Sequence, residues 1–216
     1  MRPYHATSDL PEVLTVFPLS GVLLLPRGQL PLNVFEPRYL AMIDAAMSGN
    51  RIVGMIQTRE LESQALIPKL SAVGCVGRIT SYSETEDGRY LVTLTGICRF
   101  RVDEELKVDT PFRQVRPDYN PFASDLVVMA ETDFPRERLL DALRGYLSQR
   151  DLKADWRSVM SAPAETLVNA LAMLCPFEPA EKQALLEAPG WMERVETLVA
   201  LLEMAGRPSP GGNTLN

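Results

Sequence analysis

The chain has 216 residues, of which 46% are hydrophobic and 23% are charged. These values are typical of a globular protein and exclude disordered, collagen-like and membrane-embedded classes. The formal net charge is −6. Because counterion release from phosphates requires clustered positive charge, non-specific binding of nucleic acid is disfavoured.

Apolar runs such as Gly21–Pro26 are short, whereas a membrane-spanning helix needs about 20 apolar residues. The start, Met1–Pro11, is polar and lacks the pattern of a secretory signal. We therefore expect a cytoplasmic protein without a membrane span.

Three cysteines, Cys75, Cys98 and Cys175, are widely spaced and form no CxxC motif. This spacing argues against a disulfide framework and a zinc site, so we predict that all three are buried as small hydrophobic residues. His5 is the single histidine and lies near the N-terminus. We expect no metal, no cofactor and no histidine-dependent active site in the folded part.

Between Val13 and about Pro117, short apolar runs alternate with Gly, Pro and Asp, a pattern typical of an antiparallel sheet or barrel. Residues 84–88 end in Asp-Gly and predict a hairpin turn with positive φ at the glycine. Strands are predicted at Val13–Pro18, Val22–Leu25, Leu30–Phe35, Ile52–Gln57, Gly74–Tyr82, Arg89–Thr95, Cys98–Leu106 and Phe112–Arg116.

One helix interrupts these strands. Pro37 suits a first helical position, and Gly49 is expected to form a left-handed cap at the end. Leu40, Ile43 and Met47 are predicted to form its apolar stripe.

The segment NVFEPRYL joins a strand directly to this helix. We interpret it as a structural corner, with Phe35, Tyr39 and Leu40 packed between sheet and helix. Glu36 is expected to pair with Arg38 or with a strand arginine. A direct ligand contact is the alternative.

After residues 116–124, which are rich in Pro, Asn, Asp and Ser, the hydrophobic period changes to about 3.6 residues. Pro179 is predicted to begin a short helix that ends before Pro189. The predicted organisation is a flexible tail at 1–12, a β-rich lobe with one helix at 13–120, a helical lobe at 121–206 and a flexible tail at 207–216. Three helix stripes are predicted: Leu140, Leu143 and Leu147; Leu167, Leu171 and Leu174; and Val195, Leu198 and Leu202.

The sequence contains no GxxxxGK[ST] motif for phosphate binding and no nucleophile elbow with a histidine partner. The glycines at 74 and 77 lie in a strand pattern, where they are expected to permit a bulge or tight curvature. Because the four lysines stand in charged or turn-like contexts, a Ser-Lys dyad is not expected, and we predict a protein without enzyme activity. These lysines are Lys69, Lys107, Lys153 and Lys182.

Two carboxylate groups, Glu84/Glu86/Asp87 and Asp103/Glu104/Glu105, are interpreted as solvated surfaces rather than acid-base pairs. Arg99 and Arg101 are expected on one strand face, with Phe100 on the other. With Arg78 and Arg89 they suggest a phosphate or RNA stripe. Ion pairing with Glu84, Glu86 or Asp103 is the favoured alternative.

Several segments resemble, in order, the N-terminal substrate-binding domain of bacterial Lon ATP-dependent proteases. They are FPLSGVLLLPRGQLPLNVFEPRYLAMIDAAM, VGCVGRIT, DGRYLVTLTGICRFRV and EKQALLEA, and the resemblance extends from about Val13 to Gly206. It implies an α+β fold, with a PUA-like β pseudo-barrel lobe followed by a C-terminal helical bundle. It also implies a role in binding polypeptides rather than cutting them. In the full proteases an ATPase module and a Ser-Lys peptidase module follow this domain, and because this sequence carries neither, we expect a free-standing member of the family. Asn33 departs from the histidine often found there, which affects local packing only.

The leading hypothesis is therefore a non-catalytic module that recognises protein segments or a partner protein, with a link to ATP-dependent proteolysis. Its partner would be an unfolded or partner polypeptide, bound through an uncovered apolar patch. Most methionines are expected in the core, with a few exposed in a pliable peptide-binding groove. The alternative is RNA or small-molecule binding through the PUA-like barrel, with Arg78, Arg99 and Arg101 at the surface. A residual enzyme would require a deep pocket holding a carboxylate of displaced pKa.

Overall fold

The structure is a computed structural model that describes residues 4–59, 68–127 and 134–206, and its architecture is α+β. Among these residues, no helix is both long and apolar enough to cross a bilayer. The strands are β1 (Leu14–Pro18), β2 (Gln29–Val34), β3 (Ile52–Thr58), β4 (Leu70–Glu84), β5 (Tyr90–Leu106) and β6 (Arg113–Asp118). The helices are α1 (Pro37–Met47), α2 (Arg136–Gln149), α3 (Trp156–Ser161), α4 (Ala164–Leu174), α5 (Pro179–Glu187) and α6 (Trp191–Ala205).

The sheet is mixed, and its strand order is β2-β5-β4-β3-β1-β6. β1 runs parallel to β3, and the other pairs are antiparallel. An additional pairing of β5 with β6 closes five strands into a ring, while β2 pairs only with β5. Among the described residues, the other side of β2 is therefore an open sheet edge.

The chain divides into two compact units, the first formed by Met1–Met129 with Met173–Glu187 and the second by Ala130–Ala172 with Ala188–Asn216. All six strands, α1 and α5 belong to the first unit. This division differs from the predicted lobes at 13–120 and 121–206, because α5 and a 3-10 helix at Asn120–Leu126 make their contacts with strands.

Most predicted strands lie where the pattern placed them, with two differences. Arg89–Thr95 and Cys98–Leu106 form one continuous strand, β5, whose register with β4 shifts at Val76/Gly77, as the strand glycines predicted. Val22–Leu25 is not a strand, although three of its four residues are buried. Its apolar run fills the core without strand pairing, and the Gly96 amide and carbonyl bond to the turn that follows.

The predicted hairpin is confirmed, because Gly88 has φ +76° and the Thr85 amide donates to the Arg89 carbonyl at 2.9 Å. The bounds of α1 are also confirmed. Its cap is not, since the positive φ falls on Arg51 rather than Gly49. The buried face of α1 is rotated from the predicted stripe and consists of Tyr39, Met42, Ile43 and Ala46.

The segment before β1 contacts the first unit. Leu10 is buried, a 3-10 turn forms at Thr7–Asp9, and the Tyr119 hydroxyl donates to the Pro11 carbonyl at 2.8 Å. Residues 4–12 thus contain packed positions, in contrast to the flexible tail predicted there. The predicted tail at 207–216 lies outside the described residues.

Polar side chains attach α5 to the sheet. The Gln57 amide donates to the Pro179 carbonyl at 3.0 Å and to the Gln183 side chain at 3.1 Å. Gln183 donates to the Val73 carbonyl at 3.1 Å, and the Lys182 Nζ donates to the Gly21 carbonyl at 2.9 Å. These bonds explain why α5 clusters with the strands despite its helical sequence pattern.

In the second unit, α2 packs against α6. The predicted stripe of α6 is confirmed, because Val195, Leu198 and Leu202 are all fully buried. The α4 stripe is wrong at Leu174, which is 81% exposed. Leu174 is the last residue of α4 and lies beyond Ala172, where the chain leaves this unit.

Candidate functional site

The corner between β2 and α1 is structural, as predicted. Pro37 is the first helical residue, and Glu36 pairs with Arg38 at 2.8 Å. Tyr39 is buried, its ring lies 4.2 Å from that of Phe17, and its hydroxyl donates to the Pro18 carbonyl at 3.3 Å. Burial raises the pKa of the Tyr39 hydroxyl.

Phe35 does not belong to this corner. The prediction that its ring packs between sheet and helix is wrong, because 61% of the residue is exposed. Val34, the last residue of β2, is buried, so the alternation of the strand directs Phe35 to the opposite face. There the Arg89 guanidinium carbon lies 5.9 Å from the ring centroid.

Arg99 is also not where the sequence placed it. Instead of lining a surface stripe, it is buried with Asp125, and their side chains are only 3% and 8% exposed. Nε donates to Asp125 Oδ2 at 2.8 Å, Nη2 to Oδ1 at 2.9 Å, and Nη1 to the Leu186 carbonyl at 3.0 Å. The guanidinium also lies over the Phe122 ring at 4.5 Å. Arg99 therefore joins β5, the 3-10 helix and α5, and it is not available to an RNA ligand.

Two further arginines of the proposed stripe, Arg78 and Arg89, have partners other than those predicted. Arg78 donates to the Tyr4 hydroxyl at 2.8 Å, and Arg89 pairs with Asp87 at 2.8 Å. Arg101 is exposed and stands opposite Asp118 in the register. The expected pairing with Glu84, Glu86 or Asp103 is thus wrong for Arg89 and Arg99.

Both carboxylate groups occupy solvated surfaces, as predicted. All six residues are exposed, and Glu104 and Glu105 form ion pairs across the strands with Arg116 at 2.7 Å and Arg113 at 2.6 Å. A hydrogen bond from the Thr85 hydroxyl is the main cause that lowers the pKa of Asp87. This arrangement suits hairpin structure rather than proton transfer.

The three cysteines and Lys182 are side chains with nucleophilic potential that the fold buries. The cysteine prediction is confirmed, since Cys75, Cys98 and Cys175 are all buried. Burial raises the pKa of the Cys98 thiol to about 12, which suppresses its thiolate. Lys182 is buried, although all four lysines were expected in charged or turn-like contexts, and burial lowers the pKa of its amine.

An apolar patch lies on the outer face of β2 and β5, and we call it the β2–β5 patch. It contains Phe35 and Leu91, which are 61% and 46% exposed. Leu91 stands opposite Asn33 in the register, and Phe35 follows Asn33 by two residues, so the two apolar side chains lie on one face. Sequence reasoning missed Leu91, although alternation with Val92 and Leu94, the buried residues that follow it, required an outward side chain.

The second unit carries exposed apolar residues of its own, namely Leu152, Met160, Met192 and Met204. The expectation that most methionines lie in the core is therefore wrong for three of those described, while Met42 and Met55 are buried. Met129 lies outside the described residues. A groove of about 570 Å³ between α2 and α6 contains Glu137, Asp141 and Glu203. Glu203 pairs with Arg138 at 3.2 Å and Asp141 with Arg144 at 2.6 Å, so this groove presents paired surface charges.

The described residues thus form an α+β fold with an apolar patch beside an open sheet edge. Comparison with known families places it further. The family model for the ATP-dependent protease La (LON) substrate-binding domain matches residues 13–204, and the chain belongs to this family.

Similar proteins agree with this assignment. The chain is 32% identical to a Lon protease from Desulfosudis oleivorans over 105 residues, which are 48% of this chain and 13% of that protein. It is 27% identical to Lon protease 2 of Sorangium cellulosum over 210 residues, which are 93% and 26% of the two chains. The chain thus spans about a quarter or less of the length of these relatives, and the match falls on a substrate-binding domain rather than a catalytic module.

Solved structures share the fold. The Lon N-terminal domain protein from Xanthomonas campestris aligns with a TM-score of 0.61 at 23% identity, covering 87% of this chain and 97% of that one. The N-terminal domain of Mycobacterium avium complex Lon protease aligns with a TM-score of 0.60 at 17% identity, covering 88% and 97%. At these identities the likeness establishes the fold alone.

Proposed function

We propose that this chain is a non-catalytic Lon-type substrate-binding domain that holds exposed apolar segments of other polypeptides in support of ATP-dependent proteolysis. In this proposal the ring of five strands with β2 is a PUA-like pseudo-barrel, and the second unit is a small helical bundle. The observation that carries the proposal is the β2–β5 patch. Two large apolar side chains remain exposed there, beside a sheet edge, on a chain of the substrate-binding family.

The exposed area of Phe35 sets the free energy that binding at the patch can gain. An aromatic side chain has about 200 Å² of surface, and Phe35 exposes 61% of its area. If a bound segment covers half of that exposed part, the gain is about 1.5 kcal/mol at about 25 cal/mol per Å², or about tenfold in affinity. A patch of this size favours weak, reversible capture of unfolded chains.

The proposal is tested with reduced, carboxymethylated lactalbumin as an unfolded protein and with folded lactalbumin as its control. Fluorescence anisotropy is expected to detect binding of the unfolded form only. Phe35→Ser should weaken that binding about tenfold. Val127→Ser is the matched control, because Val127 is 63% exposed but lies beyond the 3-10 helix rather than on the patch.

Two results would overturn the proposal. One is the absence of binding to unfolded lactalbumin across moderate salt concentrations. The other is hydrolysis of ATP or of a peptide by clean recombinant protein, since the proposed role involves no bond cleavage. Salt-dependent retention of RNA in the same assay would instead support the nucleic-acid alternative.

A further inference from the structure

The pairing of β2 with β5 determines which residues of β2 direct their main-chain groups to the open edge. The Gly96 amide donates to the Gly28 carbonyl at 2.9 Å. Because hydrogen-bonded and non-hydrogen-bonded pairs alternate along an antiparallel ladder, Leu30, Leu32 and Val34 direct their main-chain groups to β5. The main-chain groups of residues 29, 31 and 33 then point to the open edge.

The outward assignment of Pro31 is consistent with its chemistry, because proline has no amide hydrogen to contribute to the ladder with β5. The edge therefore offers the amide hydrogens of Gln29 and Asn33, together with the carbonyl oxygens of all three outward residues. Gln29, Pro31 and Asn33 are exposed. Of the residues that commonly protect an edge strand, β2 contains a proline, Pro31, but no charged residue.

The β2 side chains on the core face are apolar, whereas its outer face carries Gln29, Pro31 and Asn33. Leu30 and Leu32 continue the core face of the sheet but are only half-buried. On the outer face lies the β2–β5 patch. A strand added to the edge would complete the cover of the two leucines, and its side chains would contact each face in turn.

We propose that the edge of β2 captures its ligand by β-strand addition, and that the ligand is an extended, unfolded polypeptide segment with an apolar side chain at every second position. This inference rests on the proposed function and specifies how the segment is bound. The unpaired main-chain groups select an extended backbone, and the half-buried leucines select the alternating apolar side chains. Main-chain recognition would allow one site to accept many sequences.

A second copy of the chain is a poorer occupant than a peptide. Pairing of two β2 strands would bring two copies of Pro31 into the new ladder, so two main-chain hydrogen bonds would be missing. An ordinary peptide meets only one proline and loses only one bond. The single missing donor also limits the added ladder, which suits transient capture.

The test uses the full chain and a short fluorescent peptide of alternating threonine and valine. The comparison peptide has the same side chains, but its central amide hydrogens are replaced by methyl groups, which removes strand pairing on both edges. Methylation is expected to weaken binding by about tenfold or more, because net main-chain hydrogen bonds are lost. Equal binding of the two peptides would overturn the proposal.

Asn33→Pro removes an outward amide hydrogen and is expected to weaken binding of the parent peptide about tenfold. The methylated peptide should bind this variant and the unaltered protein equally weakly. If Asn33→Pro fails to fold, amide hydrogen exchange on the unaltered protein decides. The parent peptide should slow exchange at Gln29 and Asn33, whereas Leu30 and Leu32, which already bond to β5, should change little; protection confined to other elements would overturn the proposal.

Sedimentation and the lactalbumin assay separate the other outcomes. A dimer that Asn33→Pro dissociates, without peptide binding, would assign the edge to a second copy and overturn the peptide proposal. Binding of unfolded lactalbumin without binding of the peptide would overturn strand addition and leave the proposed function standing. Loss of lactalbumin binding itself would defeat the proposed function.

Discussion

Replacing Asp125 by alanine tests whether the buried ion pair with Arg99 holds the first unit together. The substitution removes the acceptor of three hydrogen bonds, from the Arg99 main-chain amide, Nε and Nη2. The guanidinium would keep its contacts with the Leu186 carbonyl and the Phe122 ring. Because it is almost fully buried, its uncompensated charge is expected to cost about 3–5 kcal/mol of stability.

The assay must report on the first unit. Both tryptophans, Trp156 and Trp191, belong to the second unit, so tryptophan fluorescence is unsuitable. Amide hydrogen exchange of β5, followed over a urea series, measures the required free energy. Glu104→Ala is the control, since its ion pair with Arg116 is more than half exposed and is worth at most about 1 kcal/mol.

A double variant separates a charge effect from a packing effect. Asp125→Leu combined with Arg99→Met replaces the pair by apolar side chains and should lose less stability than the sum of the two single variants, because no charge is left unpaired. Additive costs, or a cost below about 1 kcal/mol for Asp125→Ala, would refute the reasoning.

Three further predictions concern single residues. Tyr39→Ala should destabilise the protein by about 3–5 kcal/mol, while Phe35→Ala should change the free energy of unfolding by about 0.5 kcal/mol or less; equal effects in urea denaturation would contradict this assignment. Alkylation of Cys98 in the folded protein at pH 9 should be several hundredfold slower than alkylation of an exposed cysteine in a short peptide. The reason is that burial raises the pKa of the Cys98 thiol to about 12 and leaves little thiolate to react. Mass spectrometry measures both rates, and equal rates would contradict the burial. Gly96→Ala should lower the melting temperature, because an added Cβ would overlap the Leu25 carbonyl oxygen; an unchanged melting curve would contradict the close approach.

Local pattern alone was sufficient for several elements. The Asp-Gly turn, the first residue and the length of α1, and the buried stripe of α6 all follow from conformational preference and periodicity, which depend on neighbours close in the chain. The ordered motifs were also sufficient for the family, which the match over residues 13–204 confirms. The exposed position of Leu91 was available from the same alternation but was not used.

Only the tertiary structure determined which distant residues pack against each face of the strands and helices. Alternation separated Arg99 from Phe100, but one acceptor of Arg99 lies 26 residues away at Asp125, and another lies 87 residues away at Leu186. For the same reason α5, which has a helical pattern, belongs with the strands. Periodicity specifies the face of an element to which a side chain points. Whether that side chain is buried depends on which distant segment packs against the face, and this is determined only when the chain folds.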